Sequence, residues 1–232
     1  MSKDLDNKYF IILNKDEIIF SCLNNENKIS FTKNYALVNG PNNLFRELEN
    51  FFINNLIDIE KSLKDFIKKI YVIIDTESSL SAYLSIKYKF ETEKINENKI
   101  NDLLSYLKYQ FTKYSNDQKV IHMRISKLLI DGKKKNLSFI SETFDNLILE
   151  VKFDCLKKQT VHSIKKLCSN YQISVEKILL SHYSSEKTQN NLENVIYEAN
   201  KIINGENKCE VMWIEKKPEK RGLFEKFFSF FG

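Results

Sequence analysis

The sequence predicts a mixed α/β protein. Three observations predict it: short runs of β-branched and aromatic residues bounded by polar turns, two long stretches whose apolar residues recur at helical spacing, and an Asp-Gly hairpin signal at Asp131 and Gly132.

Residues 8–14 (KYFIILN) and 17–23 (EIIFSCL) are apolar runs joined by the polar turn Asn14, Lys15, Asp16, which reads as a β-hairpin. A third strand follows near Lys28 to Thr32. Asn39, Gly40, Pro41 and Asn42 make a turn, after which Leu44, Leu48, Phe51, Phe52, Leu56 and Ile59 mark an amphipathic helix capped by Asn42 or Asn43. Ile70 to Asp75 reads as a buried strand and Ala82 to Phe90 as a half-exposed one. A second helix, started by Asn96, carries Ile95, Ile100, Leu103, Leu104, Leu107 and Phe111 on one face, and the turn Ser115, Asn116, Asp117 follows it.

The strand Lys119 to Ile130 ends at the Asp-Gly turn. Leu147 to Phe153 is another strand, Thr160 to Tyr171 a helix with Val161, Ile164, Leu167 and Cys168 on one side, and Val175 to Leu180 a further strand. A polar helix at Asn190 to Ile203 and a strand at Lys208 to Ile214 come next. Then the character changes. Glu215 to Arg221 holds no apolar residue except Pro218, and reads as a flexible tether.

On a helical wheel, Leu223, Phe224, Phe227, Phe228, Phe230 and Phe231 fall in one arc of roughly 160°, with Glu225, Lys226 and Ser229 opposite. At 1.5 Å per residue the segment is about 15 Å long, half of what spanning needs, so it can lie in a membrane interface but cannot cross. Lys216, Lys217, Lys220, Arg221 and Lys226 would meet the headgroups, each adding on the order of 1 kcal/mol on an anionic leaflet. Docking of the same face onto the protein's own core, or in a partner's groove, are the other readings. Five buried phenylalanines give about 1.5–3 kcal/mol each before ordering costs, so the anchor is reversible and gains from self-association.

The formal charge of +5 is spread along the chain, and no basic arm points to nucleic acid. No apolar run approaches the length of a spanning helix, and the first residues lack a signal-peptide pattern, so the body is expected to be soluble and not exported. Cys22, Cys155, Cys168 and Cys209 are scattered without a C-x-x-C pair and read as packed, reduced thiols rather than a zinc site. His122, inside a strand, reads as a packed imidazole; His162 and His182 are isolated. Asp75 ends a strand where α/β enzymes place acids, yet no glycines follow it, and a turn cap is the better reading. Lys133, Lys134 and Lys135 read as a solvated basic loop tip. No catalytic constellation, cofactor motif or metal set is found.

From Lys69 to Ser185 the chain resembles the FtsA family of bacterial actin-like cell-division proteins. KKIYVIID resembles the strand leading into that family's inserted SHS2 domain, KINENKINDLLSYLKYQF its first helix, VIHMRISKLLIDG the strand and turn that follow, and LILEVKFDCLKKQTVHSIKKLCSNYQISVEKILLSHYSS the return to the actin core. RGLFEKFFSFFG resembles the family's membrane-targeting helix. The family's phosphate-binding loops need glycines so that backbone amides can approach, and neither the turn Asn14-Lys15-Asp16-Glu17 nor the stretch after Ser185 supplies them. The subdomain with which FtsA relatives grip the FtsZ tail has no counterpart, which places direct FtsZ binding in doubt.

The resemblance implies a partial actin-like (ribonuclease H-like) subdomain over 1–76 and 173–214, an SHS2-like domain over 77–172, and a tether with a membrane-binding helix over 215–232. Together with the missing phosphate loops, which mark a truncated or degenerate relative, it implies a non-catalytic cell-division protein on the cytoplasmic face of the inner membrane, without cofactor. Its expected partners are the anionic membrane surface and FtsA-like subunits or cytoplasmic tails of membrane division proteins. A scaffold of a type IV pilus or type II secretion assembly is the alternative.

Overall fold

The structure, a computed structural model, describes residues 7–38, 43–76, 78–89, 97–135, 145–181, 192–206 and 210–211. The first hairpin forms as expected, with β1 (Lys8–Leu13) antiparallel to β2 (Glu17–Leu23). β1 lies in the middle of a sheet covered on both faces: Tyr9, Ile11 and Leu13 belong to one core, Phe10 and Ile12 to another. A strand in that position has no solvent face, which is why KYFIIL shows no alternation.

β3 (Ile29–Ala36) pairs antiparallel with β2 and runs past the expected Thr32 to Ala36. It is an edge strand exposed over much of its length, so Lys33 and Asn34 carry no apolar pattern that would reveal them. α1 (Leu44–Leu63) buries Leu48, Phe51, Phe52 and Ile59. Its N-cap is Asn43, but the Asn43 side chain makes no capping hydrogen bond, contrary to the expectation. The helix ends where Lys64 turns left-handed (φ 54°) and donates its N–H to the carbonyls of Glu60 and Lys61.

β4 (Lys69–Ile74) lies parallel to β1, and β9 (Ser174–Leu180) parallel to β4, so the first sheet runs β3-β2-β1-β4-β9. α1 and α3 (Lys158–Asn170) cover one face; α3 supplies Val161, Ile164 and Cys168. The sequence reading grouped this helix with residues 77–172, whereas its apolar side packs into the first core. α4 (Leu192–Ile203) covers the opposite face through Ile196, Ala199 and Ile202. It is therefore amphipathic rather than simply polar, the apolar positions lying three residues apart.

Between β4 and α3 the chain builds a second sheet. β5 (Leu80–Lys89), β6 (Gln118–Ile130), β7 (Lys133–Lys134) and β8 (Asn146–Lys157) pair antiparallel in the order β5-β8-β6-β7. α2 (Glu97–Tyr114) covers one face with Ile100, Leu103, Leu104, Leu107 and Phe111, and the Phe111 ring stacks on Phe153 at 4.7 Å between centroids. The Asp-Gly turn has both residues at positive φ, as a tight hairpin requires. Asp131 also receives the amides of Asp145 and Asn146 on its Oδ1, tying the turn to β8. Lys133 and Lys134 are solvated as expected, but they pair with β6 instead of forming a free loop tip.

Candidate partner-binding cleft

The two sheets meet where the first half of β6 passes β9. Leu156 and Ile121, at neighbouring ends of β8 and β6, reach into the first core and fix this approach. His122 closes the inner end: its Nε2 accepts the Leu180 amide at 3.0 Å, which leaves the proton on Nδ1 to be donated to Glu210 Oε1 at 3.0 Å. The imidazole is fully buried and both nitrogens are committed to partners, a joint between the sheets. Beside it Asp154, also fully buried, accepts from Ser81 Oγ, from Arg124 Nη2 at 3.3 Å and from Lys152 Nζ at 3.4 Å. Residues 210–211 lie along β6, Glu210 bridging to Arg124 and the Val211 amide bonding the Met123 carbonyl at 2.8 Å.

Outward from this joint a cleft of about 610 Å³ opens between α2, the start of β6, α3 and β9. Lys108, Lys119, Lys158, Lys165 and Lys177 line it, against the acids Glu176 and Glu210. Lys158 and Lys165 share a side of α3, seven residues apart. Burial holds the Lys177 ammonium below its ordinary range, with Glu210 opposing that shift. Glu210 is itself 4% exposed, and its Oε2 is buried with no hydrogen-bond partner among the described residues. The cleft therefore offers excess positive charge at its walls. That charge suits an extended acidic peptide, whose carboxylates the lysines would meet.

Leu223, Phe224, Phe227, Phe228, Phe230 and Phe231, and with them Lys216, Lys217, Lys220, Arg221 and Lys226, lie outside the described residues, as do His182, Cys209, the turn at 39–42 and most of the strand expected at 208–214. His122 is a packed imidazole as expected, and His162 stands exposed on α3. Asp75 ties three strand ends together, accepting from Ser181 Oγ at 2.6 Å and donating its amide to the Leu13 carbonyl at 2.8 Å. Cys22, Cys155 and Cys168 are buried free thiols, and burial pushes Cys155 and Cys168 up to about 12. Among the described residues no group of three or more His, Cys, Asp or Glu is placed to hold a metal ion, and no helix is long and apolar enough to cross a membrane. Sequence reading missed the cleft lysines because four separate elements contribute them; the spacing of Lys158 and Lys165 was the one local signal.

In class, this is a mixed α/β protein with a five-stranded mixed sheet and a second, four-stranded sheet inserted into it. No family model matches the chain, and no curated protein matches it. Among solved structures, the chain is similar to the cytoplasmic domain of EpsL, an inner membrane component of the type II secretion system of Vibrio cholerae, at 10% identity and a TM-score of 0.40 over 79% of this chain and 59% of that one. It is also similar to a chain of the PilM-PilN type IV pilus biogenesis complex, at 6% identity and a TM-score of 0.46 over 76% and 48%. A Bacteroides thetaiotaomicron protein of actin-like ATPase fold and unknown function gives 14% identity and a TM-score of 0.33 over 78% and 54%. The chain spans about half to three-fifths of the length of these structures.

Proposed function

We propose that this chain is a non-catalytic, FtsA-like adaptor that attaches cell-division machinery to the cytoplasmic face of the inner membrane. The observation that carries the reading is the one-sided apolar face of Leu223 to Phe231 behind the basic tether, a pattern suited to an anionic lipid surface. The second sheet with its helix serves as an SHS2-like interaction module toward FtsA-like subunits or cytoplasmic tails of membrane proteins.

The first hairpin supports the non-catalytic part. In the turn between β1 and β2, Asn14 Oδ1 accepts the amides of Asp16 at 2.9 Å and Glu17 at 2.7 Å. Amides that a phosphate would need are already engaged by a side chain, in a turn without glycine.

Co-sedimentation with liposomes of graded anionic content tests the reading. The intact chain is expected to bind in proportion to anionic lipid and Phe227→Glu, Phe228→Glu to abolish binding; an intact chain that stays in the supernatant sinks it. The basic cleft favours a second reading, a scaffold of a pilus or secretion assembly that captures a partner's peptide instead of lipid. An acidic peptide that binds the body with the tail faces disabled would support that one.

A further inference from the structure

Among the described residues β5 (Leu80–Lys89) is hydrogen-bonded along one edge only. All ten of its residues pair with β8 in unbroken register, and the sheet order leaves the other edge without a strand. Proteins ordinarily blunt such an edge with a short strand, a bulge, a proline or lysines; β5 has none of the first three, and its exposed Lys87 and Lys89 stand at one end of the strand. Its inward row, Ala82, Leu84, Ile86 and Tyr88, packs on the second core yet is only half-buried. Tyr83 on the outward row is 58% exposed.

We infer that β5 pairs antiparallel with β5 of a second copy of this chain, joining two four-stranded sheets into one. Facing residues must point to the same side of the joint sheet, so a two-fold axis passes through a residue and not between residues. Centring on Lys87 would set that lysine against itself, and centring on Tyr88 would set Lys87 against Lys89. Centring on Ser85 uses Ser81 to Lys89 of both strands. It places Leu84 opposite Ile86 of the second copy, Ala82 opposite Tyr88, and Tyr83 opposite Lys87, an aromatic and cation pair. Centring on Leu84 keeps a similar overlap but sets Tyr83 opposite Ser85 and loses that pair; centring on Ile86 shortens the overlap. The self-complementary register is the argument for a second copy over an unrelated strand.

Sedimentation equilibrium on the full chain carrying Phe227→Glu and Phe228→Glu tests this without the aromatic tail, so the result is independent of lipid binding. A dimer is expected. Ser85→Glu, an exposed position, brings two carboxylates together at the axis and should weaken the dimer at least tenfold while leaving the circular dichroism unchanged. In a Cys209→Ser background, Ser85→Cys should cross-link to itself, whereas Tyr83→Cys and Lys87→Cys should cross-link only when mixed. A chain that stays monomeric at every concentration, or Tyr83→Cys cross-linking to itself, overturns the proposal.

Discussion

His122 Nε2 accepts the Leu180 amide across the junction of the two sheets, while its Nδ1–H is committed to Glu210. One side chain thus satisfies a strand amide of the first sheet and a buried carboxylate laid against the second. His122→Ala would leave both without a partner in a buried site. It is expected to cost about 2–4 kcal/mol, read as a lowered urea midpoint. A variant of unchanged midpoint would mean that the two sheets do not depend on this joint.

The buried thiols predict the alkaline limb of stability. Cys155 and Cys168 ionise near 12 in the folded chain because burial disfavours the thiolate, against an ordinary value of 9.0. Between those values the folded state holds protons that the unfolded state has released, so stability falls as pH rises from about 9 to about 12. Each thiol contributes up to about 1.4 kcal/mol per pH unit to that slope. Replacing both by alanine should flatten the limb in denaturation curves taken across this range. The same burial should keep both thiols unreactive toward Ellman's reagent at pH 8 until denaturant is added.

Phe153 is fully buried and stacked on Phe111, at the centre of the second core. Phe153→Ala removes the stack and leaves a cavity, with an expected cost of about 3–5 kcal/mol in equilibrium denaturation. Phe153→Leu, which fills part of the space, should recover much of it.

If the cleft receives an acidic peptide, its affinity must follow the wall charge. Lys158→Glu with Lys165→Glu reverses two of the five lysines on exposed helical positions, and should weaken a fluorescent acidic peptide at least tenfold. Binding by the unaltered chain should also weaken with added salt. Affinity indifferent to both would leave the cleft without this role.

The central strands were legible because each is a run too apolar to be anything but buried, and α1 and α2 because Leu48, Phe51, Phe52 and Leu103, Leu104, Leu107 keep helical spacing. Their order in the sheet was not legible, since β1 reads the same whether its neighbour is β4 or β3. The outer half of β3 escaped because an exposed edge strand carries no burial pattern. α4 passed for a polar helix because its apolar positions, Ile196, Ala199 and Ile202 with Leu192, Val195 and Ile203 beside them, are interleaved with polar residues. The cleft is assembled from residues distant in sequence, and no local pattern announces such a set. The apolar face of Leu223 to Phe231, proposed to meet a membrane, is the reverse case, a pattern plain in the sequence that lies outside the described residues.

β4 and β9 are neighbours in the first sheet, yet Lys69 pairs with Ser174, about a hundred residues on. Bringing those strands together in an open chain means closing a long loop, an entropic cost met before any contact rewards it. The inserted sheet shortens that loop, since once β5 and β8 have paired, Leu80 lies opposite Cys155 and the two ends of the insertion are held side by side. Assembly of the second sheet before completion of the first is therefore the order with the smaller closure cost, and damage to the inserted core is expected to slow the folding of a sheet it does not belong to.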